Sequence, residues 1–231
     1  MLLFSLECSA AAASAAIYRD EKLLGEEFLN VPQTHSVTLL PMAKSLLEHT
    51  GISPAQIDYY AVSRGPGSFT GLRIGIAAIK GLAFPDDTPC IGVSTPEAIA
   101  YGLLGFEGTV IPMMDARCGQ VYTALFEGKD GAISRLTEDE ALPLTALCEK
   151  LRELPAPLWL CGDGAHLGLA AWEKELPVKI APAHLCYQHA SAVGLAALQH
   201  LAEAVPPAAL VPCYLRPANA MTLAQRQQNN E

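Results

Sequence analysis

The sequence predicts an α/β chain of two tandem halves, each running βββαβαβα. Three observations carry this reading. Short apolar runs bounded by polar turns open each half, the signature of buried strands. Longer segments with apolar residues three, four and seven apart follow them, the period of a helix face. The same order of elements is then met a second time, after a glycine-bounded break at residues 105–108.

In the first half, residues 4–6 and 15–18 read as strands, and Arg19-Asp20-Glu21-Lys22 is a polar turn before a third strand at 23–29. A helix runs from 32–36 to 49, with Leu39, Ala43, Leu46 and Leu47 on one face. Pro41 fits it in the first turn or as a mild kink, and Gly51 ends it. A strand at 57–63, a helix at 70–83 and a strand at 90–93 follow, and Thr95-Pro96-Glu97 opens a further helix with proline near its first turn. In the second half, strands are expected at 110–114, 121–126 and 132–136. A helix at 144–154, a strand at 158–161, a helix at 166–176, a strand at 178–180 and an alanine-rich helix at 191–204 complete it. Two such halves match a duplicated ribonuclease-H-like architecture, the plan of the actin/Hsp70/sugar-kinase (ASKHA) superfamily. The division falls into an N-terminal domain over residues 1–106 and a smaller C-terminal domain over 107–231. The tail at 211–217 is expected to fold back on the first domain, and 224–231 reads as polar and frayed.

Composition narrows the function classes. The 231 residues are 51% hydrophobic and 17% charged, which is a globular and not a disordered balance. The formal net charge of -9 disfavours autonomous binding to a phosphate backbone and points to a basic partner surface or to solubility alone. Seven scattered cysteines, odd in number and without a C-x-x-C pair, argue for a reducing cytoplasm and against a disulfide framework or zinc site. No run of about 20 apolar residues suggests a membrane span. The apolar opening, followed at once by Glu7, reads as a strand and not a leader.

The most informative segment is Arg64-Gly65-Pro66-Gly67-Ser68-Phe69-Thr70-Gly71-Leu72-Arg73-Ile74-Gly75, which follows a strand and opens a helix. A backbone nest at a helix N-terminus is one use of such a segment. Neither a Walker loop nor a G-x-G-x-x-G fingerprint is present, however. The other use is packing. Gly71, Gly75 and Ala78 form a strip without bulk, flanked by Leu72, Ile76 and Ile79, and a helix apolar on so much of its circumference must be covered on more than one side. Either another part of the chain or a partner helix covers the strip.

These residues, with Lys80-Gly81-Leu82-Ala83 after them, resemble the signature of the TsaB (YeaZ-type) family and of its paralogue, the TsaD threonylcarbamoyl transferases. Further matches are His35-Ser36 with Leu39-Leu40-Pro41, Ile91-Gly92-Val93-Ser94-Thr95, Met114-Asp115-Ala116-Arg117 with Gly119-Gln120-Val121-Tyr122, and Tyr214-Leu215-Arg216. Together they span nearly the whole chain. TsaD-like enzymes hold a metal with an H-x-x-x-H pair on a helix; here His35 is followed by Leu39, so the resemblance favours TsaB and no metal site.

The resemblance implies a non-catalytic subunit for tRNA threonylcarbamoyladenosine (t6A) modification. Its partners would be a TsaD-like transferase and a TsaE-like ATPase, it would form a homodimer when alone, and its contact with tRNA would be indirect or weak. The expected docking face comprises His35, Leu39, Leu40, Met42 and Leu46 on the first helix. Gly71, Leu72, Gly75, Ile76, Ala78 and Ile79 supply the second.

Actin-like ATPases place an acid and glycines at each of two hairpins. Here Glu7 leads into Cys8-Ser9-Ala10-Ala11, and Asp115 into Ala116-Arg117-Cys118, both glycine-poor. Relatives usually carry Asp where Glu7 stands. Glu7, Asp115, Arg117 and Gly162 (in Cys161-Gly162-Asp163-Gly164) are therefore read as remnants of a nucleotide site, with no tightly bound cofactor and ATP or ADP only at an interface shared with a partner. Two rival readings are a nucleotide-dependent phosphotransferase of the same fold and a metallopeptidase-like protein.

Overall fold

Two mixed sheets carry the chain in the computed structural model, which describes residues 1–216. The first contains β1 (Leu2–Glu7), β2 (Ala13–Arg19), β3 (Lys22–Leu29), β4 (Tyr59–Gly65) and β5 (Cys90–Ser94), in the order β3-β2-β1-β4-β5. β1, β2 and β3 form an antiparallel meander, while β4 and β5 extend the sheet parallel to β1. Both faces are covered, which explains why these strands read as nearly unbroken apolar runs. Phe4 and Leu6 point to the face under α1 (His35–Thr50) and α2 (Phe69–Ala83), where Leu39, Leu46, Ile76 and Ile79 meet them. Leu3, Ala16 and Ile91 point the other way, towards α3 (Thr95–Tyr101) and α6 (Ala190–Ala197).

The helix ends follow from local chemistry. Ser68 caps α2 by accepting from the Gly71 N–H at 3.3 Å, and Ser94 caps α3 by accepting from Glu97 N–H at 3.3 Å. Gly51 ends α1 in the left-handed region, at φ 66°. Pro41 lies in the second turn of α1 on its exposed side, and the helix continues through it.

The second sheet has the order β10-β7-β6-β11-β12, with β8 and β9 attached to β6. Its strands are β6 (Gly108–Asp115), β7 (Gln120–Thr123), β8 (Phe126–Lys129), β9 (Ala132–Arg135), β10 (Glu140–Pro143), β11 (Leu158–Cys161) and β12 (Val178–Ile180), and α4 (Leu144–Leu151) and α5 (Ala165–Trp172) are its helices. The order repeats the first sheet, with β10 in the place of β3. The single strand expected at 121–126 is in fact two. β7 pairs with the end of β6 and β8 with its beginning. Between them Leu125 bonds Leu136 and Thr137 instead, its N–H to Thr137 Oγ1 at 2.9 Å and its carbonyl to Leu136 N–H at 2.8 Å.

The second sheet begins at Gly108, but the chain does not stay with it to the end. From Ala190 onward the chain returns to the first: Ala190, Val193, Ala196 and Ala197 pack against Leu3, Ala61 and Val93. Val205 bridges Cys90, and Leu210 is buried in the α1–α2 core. Residues 211–216 run against the first half, where Cys213 N–H donates to Arg64 O at 2.7 Å; residue 217 and the segment 224–231 lie outside the described residues. Among the described residues no helix is long and apolar enough to cross a membrane.

Candidate functional site

The glycine-rich segment carries β4 into α2, and its glycines are fixed by close approach within the chain. A Cβ on Gly67 would lie 2.6 Å from the Ser9 carbonyl oxygen, and one on Gly71 2.1 Å from the Cys8 carbonyl oxygen. On Gly75 it would meet Cys8 Sγ at 2.7 Å. Ser68 N–H donates to Ser9 O at 2.7 Å, and Cys8 Sγ donates to Gly71 O at 3.2 Å. The bulk-free strip therefore presses α2 onto the turn after β1, and it is the chain itself that covers it.

This relocates most of the expected docking face. Leu39, Met42, Leu46, Gly71, Leu72, Gly75, Ile76, Ala78 and Ile79 are buried in the chain's own core, because the apolar stripes of α1 and α2 serve the first sheet. Of the expected set only Leu40, 51% exposed, and the half-buried His35 reach the surface. What α1 and α2 do present is Val37, Leu40 and Pro41 on one helix and Ala77 and Gly81 on the other, with Phe84, 77% exposed, just beyond. Beside them lies an apolar groove of about 640 Å³ lined by Leu40, Ala43, Lys44, Leu47, Ile52 and Leu82. The sequence did hold a signal for this outer stripe: Val37, Leu40, Pro41 and Lys44 recur at helical spacing.

A second concavity, about 430 Å³, lies between the halves and is lined by Ser9, Ala10, Gly67, Ser68, Asp115 and Asp163 among others. Of the expected nucleotide-site remnants, Asp115 and Arg117 line it. Asp115 accepts from Arg117 N–H at 2.7 Å and from Arg117 Nη1 at 3.3 Å. Arg117 and Cys118 hold left-handed φ of 65° and 54° at this turn. Gly162, at φ 93°, serves packing, since a Cβ there would lie 2.3 Å from Met113 O. Glu7 sits behind the wall, wholly buried, with Ser9 N–H donating to Oε1 at 2.5 Å and Ser63 Oγ donating to Oε2. Burial raises its pKa against the opposing pull of those bonds and of His35.

Asp163 was not singled out by its own chemistry in the sequence, yet it faces the cleft. Burial raises its pKa, and Gln188 Nε2 donates to its Oδ1 at 2.8 Å. The cleft thus pairs two carboxylates with the first turn of α2, while Ala10 and Ala11 put methyl groups where a phosphate-binding hairpin needs bare backbone. Ser9 Oγ, also on this wall, has no hydrogen-bond partner among the described residues. A histidine-held metal does not fit these residues. His35 Nε2 donates to Ala10 O at 2.7 Å, tying α1 to the β1–β2 turn, and the position four residues on is the buried Leu39.

A duplicated, actin-like α/β protein with a methyl-walled cleft and an exposed helix pair is the class that fold and site define. The family model for TsaD, tRNA N6-adenosine threonylcarbamoyltransferase, matches residues 29–223. The tRNA threonylcarbamoyladenosine biosynthesis protein TsaB of Bacillus subtilis is 32% identical over 95% of this chain and 96% of its own length. The TsaB protein of Escherichia coli is 34% identical over 71% of this chain and 72% of its own. The solved structure of YeaZ from Pseudomonas aeruginosa superposes with a TM-score of 0.77 at 27% identity, over 93% of this chain and 99% of that one. A likeness in fold alone extends to component A of (R)-2-hydroxyglutaryl-CoA dehydratase from Acidaminococcus fermentans, at TM-score 0.55 and 11% identity. The chain belongs to the TsaB (YeaZ-type) family within the broader TsaD family.

Proposed function

We propose that this chain serves t6A modification of tRNA as a non-catalytic subunit that docks a TsaD-like transferase through the outer face of α1 and α2. The observation that carries the reading is the contrast between the two concavities. The groove beside Leu40 is apolar and open, whereas the cleft has lost the bare-backbone hairpin and its first acid is sealed behind the wall. Burial of Leu40 and Leu82 against a partner helix supplies the hydrophobic drive, and the exposed Ala77 and Gly81 let a backbone come close. The same face joins two copies when the transferase is absent. A TsaE-like ATPase completes the assembly, nucleotide binds only where partners share a site, and tRNA contact by this acidic chain is indirect or weak.

The test is copurification with the TsaD-like and TsaE-like proteins of the same source, with a t6A assay omitting each component in turn. Leu40→Asp is expected to weaken association with the transferase at least about tenfold, through loss of an apolar contact and burial of a charge, with an unchanged melting midpoint. Unchanged association would show that the face is wrong. A cleft lined by Asp115 and Asp163 also keeps alive the reading of a nucleotide-dependent phosphotransferase. Calorimetry with magnesium and ATP on the isolated chain decides it: no heat removes that reading, and heat lost in Asp115→Asn replaces ours.

A further inference from the structure

Residues 211–216 form no helix or strand, yet they touch both halves. Upstream they are anchored on the first half, where Leu210 is buried and Lys80 Nζ donates to Ala208 O at 3.2 Å. Cys213 N–H donates to Arg64 O at 2.7 Å, and the Cys213 carbonyl occupies the place of a Gly65 side chain, 2.2 Å from an ideal Cβ at a residue with φ 122°. The first glycine of the motif is thus required by the passage of this segment. Tyr214 then stacks on Phe69, centroids 4.3 Å apart at 18°, and accepts a hydrogen bond from Arg73 Nε at 3.0 Å. Two residues later the chain reaches the second half. Arg216 Nη1 donates to Ala116 O at 3.0 Å, and its guanidinium lies 5.9 Å from the centre of the Tyr122 ring.

We propose that residues 211–216 are a releasable latch across the cleft between the halves, with Arg216 as its pin, and that its release lets the cleft open. Phe69 on one wall, and Ala116 and Tyr122 on the other, are cleft-lining residues, and the segment touches all three. The turn that Arg216 holds is the one at left-handed φ over Arg117, Cys118 and Gly119, where a side contact contributes most to order. The latch side is half-exposed and built from a few polar and stacking contacts, so it opens without unfolding either core. None of its groups pairs with a carboxylate among the described residues, so it is a hydrogen-bonded and stacked closure, insensitive to carboxylate titration.

Hydrogen exchange read by mass spectrometry on the full chain tests this. Arg216→Ala is expected to speed exchange at residues 116–121 and 67–71 about tenfold, the effect of losing one charge-assisted bond, with β2 and β4 unchanged. Tyr214→Ala is the sharper variant, because Tyr214 touches only the first half. Faster exchange at 116–121 in that variant is what a latch produces. If Tyr214→Ala speeds only 67–73, or Arg216→Ala leaves 116–121 as in the parent, the segment is a local tether and the proposal fails.

Discussion

The turns after β1 and after β6 occupy equivalent places in the two halves, and each follows an acidic residue at the end of a central strand. They have had opposite fates. Glu7 is fully buried, both its oxygens bonded, and the turn after it is clamped by the glycines of α2. Asp115 keeps a side chain 32% exposed, faces the cleft, and leads into a turn where a Cβ on Gly119 would meet open space. One acid of the duplicated pair is absorbed into packing and the other is left at the surface. The first turn is packed against backbone on the α2 side; the second has open space beside Gly119.

The largest expected effect breaks or keeps that contrast directly. Glu7→Ala strands the Ser9 N–H and the Ser63 hydroxyl in the interior and leaves a void, a loss of about 3 kcal/mol. Glu7→Gln retains an acceptor for Ser9 and a donor for Ser63 Oγ, and should cost less than about 1 kcal/mol. Asp115→Ala should cost less than about 1 kcal/mol as well, since its bonds are to an exposed turn. Denaturant midpoints measure all three, and a larger loss at Asp115 than at Glu7 would refute the contrast.

The next effect compares one substitution in both turns. Gly71→Ala drives a methyl into the Cys8 carbonyl, a backbone atom that cannot step aside, and is expected to cost about 2 kcal/mol. Gly119→Ala meets no atom and is opposed only by its φ of 71°, about 1 kcal/mol. Equal shifts in melting midpoint would mean that the first turn is no more tightly packed than the second.

Much of this was legible in residue order. The first half followed its apolar periods and caps closely, because each strand there is long and each helix has a Ser or Gly at its boundary. The second half was less legible. The β7–β8 break depends on Leu125 finding Leu136 and Thr137, and β10 depends on β7 as a neighbour; both are long-range pairings with no local signature. The return of residues 190–210 to the first sheet was hidden for the same reason, since an alanine-rich helix fits either core. At the site, spacing showed that Gly71 and Gly75 belong to a close contact but not which way the strip faces. Direction comes only from the Cys8 carbonyl beneath it. Glu7 read as a cleft acid because strand-end position, and not burial, is what a sequence displays.

The smallest effect concerns the joint where α3, the end of β9 and the returning chain meet. Glu97 on α3 accepts from Arg135 Nη2 at 3.2 Å and from His200 Nε2 at 2.9 Å, while Arg135 Nη1 also reaches Asp139 at 2.8 Å, so both halves and the returning chain meet at one carboxylate. His200 Nδ1 contacts Glu203 at 2.8 Å. An imidazole with a carboxylate on each nitrogen bonds both only as the cation. Burial lowers its pKa, but the bonds and charges of Glu97 and Glu203 prevail and raise it above 6.5. A folded value above the unfolded one means that the stabilisation is fully present below pH 6.5 and is lost as pH rises through the raised value. The difference in stability between the parent and His200→Gln should therefore shrink across that window, by about 1 kcal/mol, since His200 and Glu97 are partly buried and only Glu203 is exposed. Denaturant midpoints of both proteins at stepped pH measure it, and the subtraction removes every group they share. If protection at residues 116–121, taken relative to the base-catalysed intrinsic exchange rate at each pH, also falls over the window while that at 67–71 is steady, the second half is the one that moves; an equal fall in both turns would show that the halves are equally free.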